Sequence, residues 1–135
     1  MKKIIMISIA VAAALVLSFC FTGCSKYVSS YNAIGVVTTN SSDSSSIGFV
    51  SLDGTRVLTL KCKDASTEKL KYSAKLKEGS AVVYYDAGDG KKELFTIRAG
   101  EEVSSEIDGL KKGKVYIIIE TKEKCGEGDF RFDIV

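Results

Sequence analysis

Four cysteines, at positions 20, 24, 62 and 125, carry the most distinctive chemistry in a chain that has no histidine, tryptophan or proline. Thiolates hold zinc or exchange electrons when they are paired at Cys-x-x-Cys spacing or joined by histidine, and neither pattern is present. A serine or cysteine nucleophile would have to take its base from Lys, Asp or Glu, and no serine lies in a Gly-x-Ser-x-Gly elbow. Spacing singles out no carboxylate pair for glycoside hydrolysis among the 17 acids. These residues argue for a protein that is not an enzyme and takes no cofactor or metal.

Four features remain as candidates for binding or bonding. In "KLKYSAKLK", Leu70, Tyr72, Ala74 and Leu76 share one face of a strand, and Lys69, Lys71, Lys75 and Lys77 share the other. That stripe would meet an anionic partner such as a phosphate-rich wall polymer, or act as a solvated face that keeps sheet edges from pairing. Tyr84, next to Tyr85, would stack on a sugar ring if it faced outward. Cys62 follows Leu58 and Leu60 at period two, so it points into a core, and Cys125 precedes the last strand. In an exported protein the two are a candidate disulfide worth about 3 to 4 kcal/mol, or else free thiols packed as small hydrophobes. Asp86 and Asp89 in "DAGDG" offer oxygens to a calcium ion, but the further acids and distal Glu of an EF-hand are missing, and the stretch reads as a turn.

Charge removes one class of partner. Lys2 and Lys3 precede a long apolar run, and from residue 24 onward 17 basic residues balance 17 acidic ones. Nucleic-acid binding draws its affinity from a basic excess, which this chain lacks.

The apolar run, Ile4 to Phe21, is eighteen residues broken only by Ser8 and Ser18. A positive start, an apolar stretch and then small residues is the layout of a secretory signal, although eighteen helical residues also suffice to cross a bilayer. The junction separates these readings. "FTGC", ending at Cys24, resembles the lipobox of bacterial lipoproteins, with Thr22 and Gly23 in the small-residue slots and Phe21 in place of the usual aliphatic residue. The resemblance implies that residues 1–23 are removed and that Cys24 carries a diacylglyceryl group. The protein would then be exported and held by lipid on the extracytoplasmic side of the membrane. Two acyl chains give stable attachment where one is marginal. Cys20, preceded by bulky Phe19, fits such a site poorly.

The segment 24–46 is rich in Ser and Asn and reads as a flexible tether, with 33–39 β-prone enough to form an edge strand. From Ile47 the alternation has period two, in "IGFVSL", "TRVLTLKCK", "KLKYSAKLK", "SAVVYYDA", "ELFTIRA", "KVYIIIET" and "DFRFDIV". Asp53-Gly54 between the first two is a strong hairpin signal, and "DAGDGKK" and "GLKKGK" mark longer turns. "KVYIIIE" is apolar on both faces, as in a central strand covered from both sides or one whose outer face meets the tether. The expected fold is all-β, a single antiparallel sandwich of seven or eight strands over 47–135, jelly-roll or Ig-like, after a signal helix and tether. The closing 25 or so residues, "LKKGKVYIIIETKEKCGEGDFRFDIV", resemble the end of small secreted modules such as pre-peptidase C-terminal-like and jelly-roll accessory domains. The expected function is a membrane-anchored, non-catalytic binding or scaffolding module of the cell envelope. Two alternatives are a binder of carbohydrate or anionic wall polymer, and a structural subunit that contacts other envelope proteins.

Overall fold

In the computed structural model the described residues are 26–135; Cys20, Cys24 and the leader lie outside them. Seven antiparallel strands form one open sheet that folds over into a sandwich: β1 (Ser30–Ile34), β2 (Val37–Asn40), β3 (Ser44–Cys62), β4 (Leu70–Asp86), β5 (Lys92–Arg98), β6 (Glu102–Ile107) and β7 (Gly113–Ile134). The expected all-β sandwich is the fold the chain adopts. Among the described residues no helix is long and apolar enough to cross a membrane.

Three strands are long enough to belong to both layers. The first half of β3, the second half of β7 and the first half of β4 form sheet I, flanked by β2 and β6. The remaining halves form sheet II, flanked by β1 and β5. Asp53-Gly54 therefore does not turn a hairpin: "IGFVSL" and "TRVLTLKCK" are consecutive parts of β3. The same correction joins "KLKYSAKLK" to "SAVVYYDA" in β4 and "KVYIIIET" to "DFRFDIV" in β7. A hairpin and a sheet corner ask for the same backbone freedom, and Gly54 (φ 128°) and Gly79 (φ 87°) supply it here.

The corner also exchanges the faces of the strands. Between the pairs Leu52–Cys125 and Thr55–Glu120 the β3–β7 register slips, and β4 and β7 slip at Glu78 to Ala81. Each ladder slips by two residues in all, so partners stay matched in face while the inward positions of each strand change between odd and even numbers. Ile47 and Phe49 point inward before the corner and Leu58, Leu60 and Cys62 after it; β4 changes from Leu70, Tyr72 and Leu76 to Ala81 and Val83. Both halves thus bury their apolar side chains in one core. Phe95 of sheet II closes it by stacking on Tyr72 at 5.2 Å and lying 6.3 and 6.4 Å from Phe130 and Phe132 of sheet I.

Residues 26–46 are built onto this frame. β1 and β2 pair in line along the edge of β3, with Ala33 opposite Leu52 and Val37 opposite Gly48. The edge strand expected over 33–39 thus exists as two strands with Gly35 and Val36 between them.

Candidate functional site

The outer face of sheet I gathers the polar side chains that the alternation directs away from the core. Register places Thr39, Ser46, Arg131, Ser73 and Ser104 in one row across five strands. On one side runs a row of Gly48, Asp129, Lys75 and Glu102; on the other, Ser44, Asp133, Lys71 and Glu106. Short hydroxylic side chains on either side of Arg131, between two rows that carry charged ones, leave a trough. It holds a depression of about 630 Å³ lined by Ser46, Ser73, Ser104, Lys75, Glu102, Asp129 and Arg131. A second depression of about 390 Å³ continues it toward Lys71 and Asp133, sharing Ser73, Ser104 and Arg131.

The lysine stripe lines this trough, but not as an uninterrupted cationic face. Lys71 stands between Asp133 and Glu106, and Lys75 between Asp129 and Glu102. Lys77 pairs with Glu127 at 3.3 Å, and Lys69 lies 3.8 Å from Glu106. Every lysine of the stripe therefore has a carboxylate on a neighbouring strand, and these acids lie far from β4 in sequence. Arg131 donates to Asp133 at 3.0 Å, which raises the guanidinium's pKa further. Burial works to raise the carboxyl of Asp133, but hydrogen bonds from Arg131 and from Ser44 at 2.7 Å outweigh it and hold the pKa below its ordinary value.

Tyr84 is not brought to the stripe. It sits on the outer face of sheet II, where the ammonium of Lys91 lies 4.3 Å from its ring centre and then pairs with Glu120 at 2.5 Å. Of the two alternatives for Cys62 and Cys125, the structure has the free thiols, both fully buried, and not the disulfide. Their register explains why: Cys62 is opposite Gly113 at one end of the β3–β7 ladder, and Cys125 is opposite Leu52 at the corner. Burial pushes the Cys125 thiol up to about 11 and raises that of Cys62.

Asp86 has a role that sequence spacing does not reveal. Its carboxylate, only 1% exposed, caps the β4–β5 turn by accepting from the N–H groups of Gly88 at 2.9 Å and Gly90 at 3.2 Å. It also accepts from the Tyr27 hydroxyl at 2.8 Å and pairs with Lys26 at 2.7 Å. The hydrogen bond from Lys26 leads in holding the Asp86 pKa far below its ordinary value, against the opposing pull of burial. The Tyr27 ring meets Tyr116 edge-on at 5.4 Å, and Ser29 accepts from the N–H of Val57 at 2.8 Å. Residues 26–29 thus cross the outer face of sheet II from β4 over β7 to β3. This contact accounts for "KVYIIIE", in which β7 is central and its outer face meets the N-terminal segment. Asp89, the other acid of the turn, pairs with Lys111.

No family model matches the chain, and no curated protein sequence matches it. Among solved structures it is similar to TmCBM61 in complex with beta-1,4-galactotriose, at 16% identity and a TM-score of 0.43, over 74% of this chain and 69% of that one. It is also similar to the enzymatically active domain of bacteriophage CBA120 tailspike protein 4, at 12% identity and a TM-score of 0.43, over 85% of this chain and 20% of the other. A third similarity is to a CBM4 structure, at 11% identity and a TM-score of 0.38, over 77% of this chain and 78% of that one.

Proposed function

We propose that this protein is an exported lipoprotein, anchored through Cys24, whose sandwich is a non-catalytic module that holds a hydroxyl-rich polymer, carbohydrate above all, against the outer face of sheet I. The observation that carries the reading is the trough: a floor of Ser46, Ser73 and Ser104 beside Arg131, between rows of alternating charge. Each serine hydroxyl both donates and accepts, Arg131 presents a planar fork of donors, and the wall carboxylates accept. Such a set suits the paired hydroxyls of a sugar. A polyanion suits it less, because Asp129, Glu102, Asp133 and Glu106 outnumber Lys71, Lys75 and Arg131 along the walls.

The test is retention of the protein in gels cast with neutral polysaccharides, compared with gels containing phosphate-rich wall polymer. Arg131→Ala and Ser73→Phe, both at exposed positions, should each weaken retention on a neutral glycan by about tenfold, the weight of one or two hydrogen bonds. Equal retention of the wild type and both variants on every neutral glycan would sink the proposal. For the anchor, incorporation of a labelled fatty acid should disappear in Cys24→Ala, and unchanged incorporation would refute it.

A second reading, a protein-interaction subunit, rests on the β1–β2 edge. Residues 27–42 contain no charged side chain, and Ile34, Val37 and Val50 are 65%, 70% and 56% exposed beside that edge. An uncharged edge strand is a template for strand addition by a partner. Val37→Lys should then abolish any protein crosslink captured in intact envelopes while leaving glycan retention unchanged.

A further inference from the structure

Four lysines without an ion-pair partner among the described residues gather at the end of sheet II where the N-terminal segment joins it. Lys61 of β3 stands directly opposite Lys114 of β7, and Lys63 and Lys112 follow just past the last pair of that ladder, Cys62 with Gly113. All four are exposed, and none makes an ion pair among the described residues. Like charges facing each other across a ladder oppose pairing by a fraction of about 1 kcal/mol, and an outside anion would relieve that cost. Carboxylates of this end have other partners: Asp43, next to the Ser42 carbonyl that accepts from the N–H of Lys61 at 2.7 Å, accepts from the Ser41 hydroxyl at 3.0 Å. Asp89 holds Lys111, Asp86 holds Lys26, Asp64 accepts from Ser66, and Glu68 accepts the N–H groups of Lys63 and Asp64 at 3.1 and 2.8 Å.

The chain fixes what lies next to this cluster. Asp86, which binds Lys26, is opposite Tyr116, itself opposite Thr59; Lys114 and Lys61 are two residues further along the same two strands. Lys26 is two residues from Cys24. Residues 26–29 are pinned to the sandwich, so an acyl chain on Cys24 would hold the membrane within about 7 Å of chain from Lys26, at the same end as these lysines.

We propose that Lys61, Lys63, Lys112 and Lys114 form a docking face for the anionic headgroups of the membrane that holds the protein, so that the sandwich rests on the bilayer by this end. The occupant rests on the reading of Cys24 as the lipid anchor, and the opposite end suits the role of the end turned away. At the corner the exposed acids Asp53, Glu78, Glu101, Glu123 and Glu127 are interspersed with Lys77, Lys122 and Lys124, and Lys77 pairs with Glu127, so that end offers an anionic surface no cluster of cations alone.

The test uses the full chain in vesicles of phosphatidylcholine with or without phosphatidylglycerol. A fluorophore is attached at Lys112→Cys or, at the corner, at Lys122→Cys, in a chain carrying Cys20→Ala and, for the arm without acylation, Cys24→Ala; Cys62 and Cys125 are buried and stay unlabelled. A headgroup-bound quencher should quench the label at 112 more strongly when phosphatidylglycerol is present and leave that at 122 bright. Replacing Lys61 and Lys114 with Ser should cut the phosphatidylglycerol-dependent quenching on the order of tenfold, and so should raised salt. If Cys24 is acylated and the vesicles carry the protein, yet both labels are quenched alike or phosphatidylglycerol has no effect, docking is overturned and the anchor stands. Lysine-dependent quenching that is as strong in the Cys24→Ala arm overturns the anchor and leaves the docking face.

Discussion

Asp86 and Ser45 show how differently two buried polar side chains affect stability. Asp86 gathers four hydrogen-bond or ion-pair partners, so Asp86→Asn should destabilise the fold by about 2 kcal/mol, measured by urea unfolding at neutral pH. Its folded pKa is depressed, so the folded state binds the proton less readily than the unfolded one. The stabilisation is therefore complete above the ordinary carboxylate pKa of about 4 and is lost as pH falls below it, and the wild type and the variant should converge in acid. An unfolding difference that stays constant from neutral pH into acid would contradict this assignment. Ser45 is fully buried opposite Phe132, and its hydroxyl has no partner. Ser45→Ala should leave the urea midpoint unchanged or raise it by up to about 1 kcal/mol in stability, and a clear loss would mean that the hydroxyl is satisfied. Neither role could be read from the sequence: Asp86 and Tyr27 are 59 positions apart, and Ser45 lies in a run of serines that composition assigns to a tether.

Among the elements, the corner limits what sequence reading can recover. Alternation identified both halves of β3, β4 and β7 as strands, and the inward face where one face is polar, as in "KLKYSAKLK", because period two survives on either side of a slip; "KVYIIIE", apolar on both faces, gave no such answer. It could not tell that each pair of halves is one strand, since the change of face at Gly54 and Gly79 looks like the end of one strand and the start of another. The lysine stripe was legible as an outward face for the same reason. Its neutral balance was not, because Asp129 and Asp133 come from β7 and Glu102 and Glu106 from β6. Gly79 is the element's weak point: an added Cβ would sit 2.8 Å from the Cα of Cys125, at a φ of 87°. Gly79→Ala should cost about 3 kcal/mol or more, seen as a lowered thermal midpoint or as failure to fold. A midpoint within a degree of wild type would show that the corner is slack there.

The whole molecule is one cooperative object, because the sheets share three strands. Sheet I cannot melt while sheet II persists unless β3, β4 and β7 all fray from the corner. Tyrosine fluorescence, which samples Tyr27 and Tyr84 on sheet II and Tyr72 on sheet I, should therefore unfold in step with far-ultraviolet circular dichroism, in a single transition. Two separated transitions would show that the halves are independent. The continuity of β4 also has a mechanical meaning. Asp86, which grips the root of the N-terminal segment, and Ser73 and Lys75, which line the trough, lie on the same strand. If the proposed anchor and ligand hold, a load between them would enter β4 at Asp86 in one layer and at Ser73 and Lys75 in the other, and would act along its ladders, in shear. A sheet pulled in shear breaks many hydrogen bonds at once, whereas a peeled edge loses them one by one.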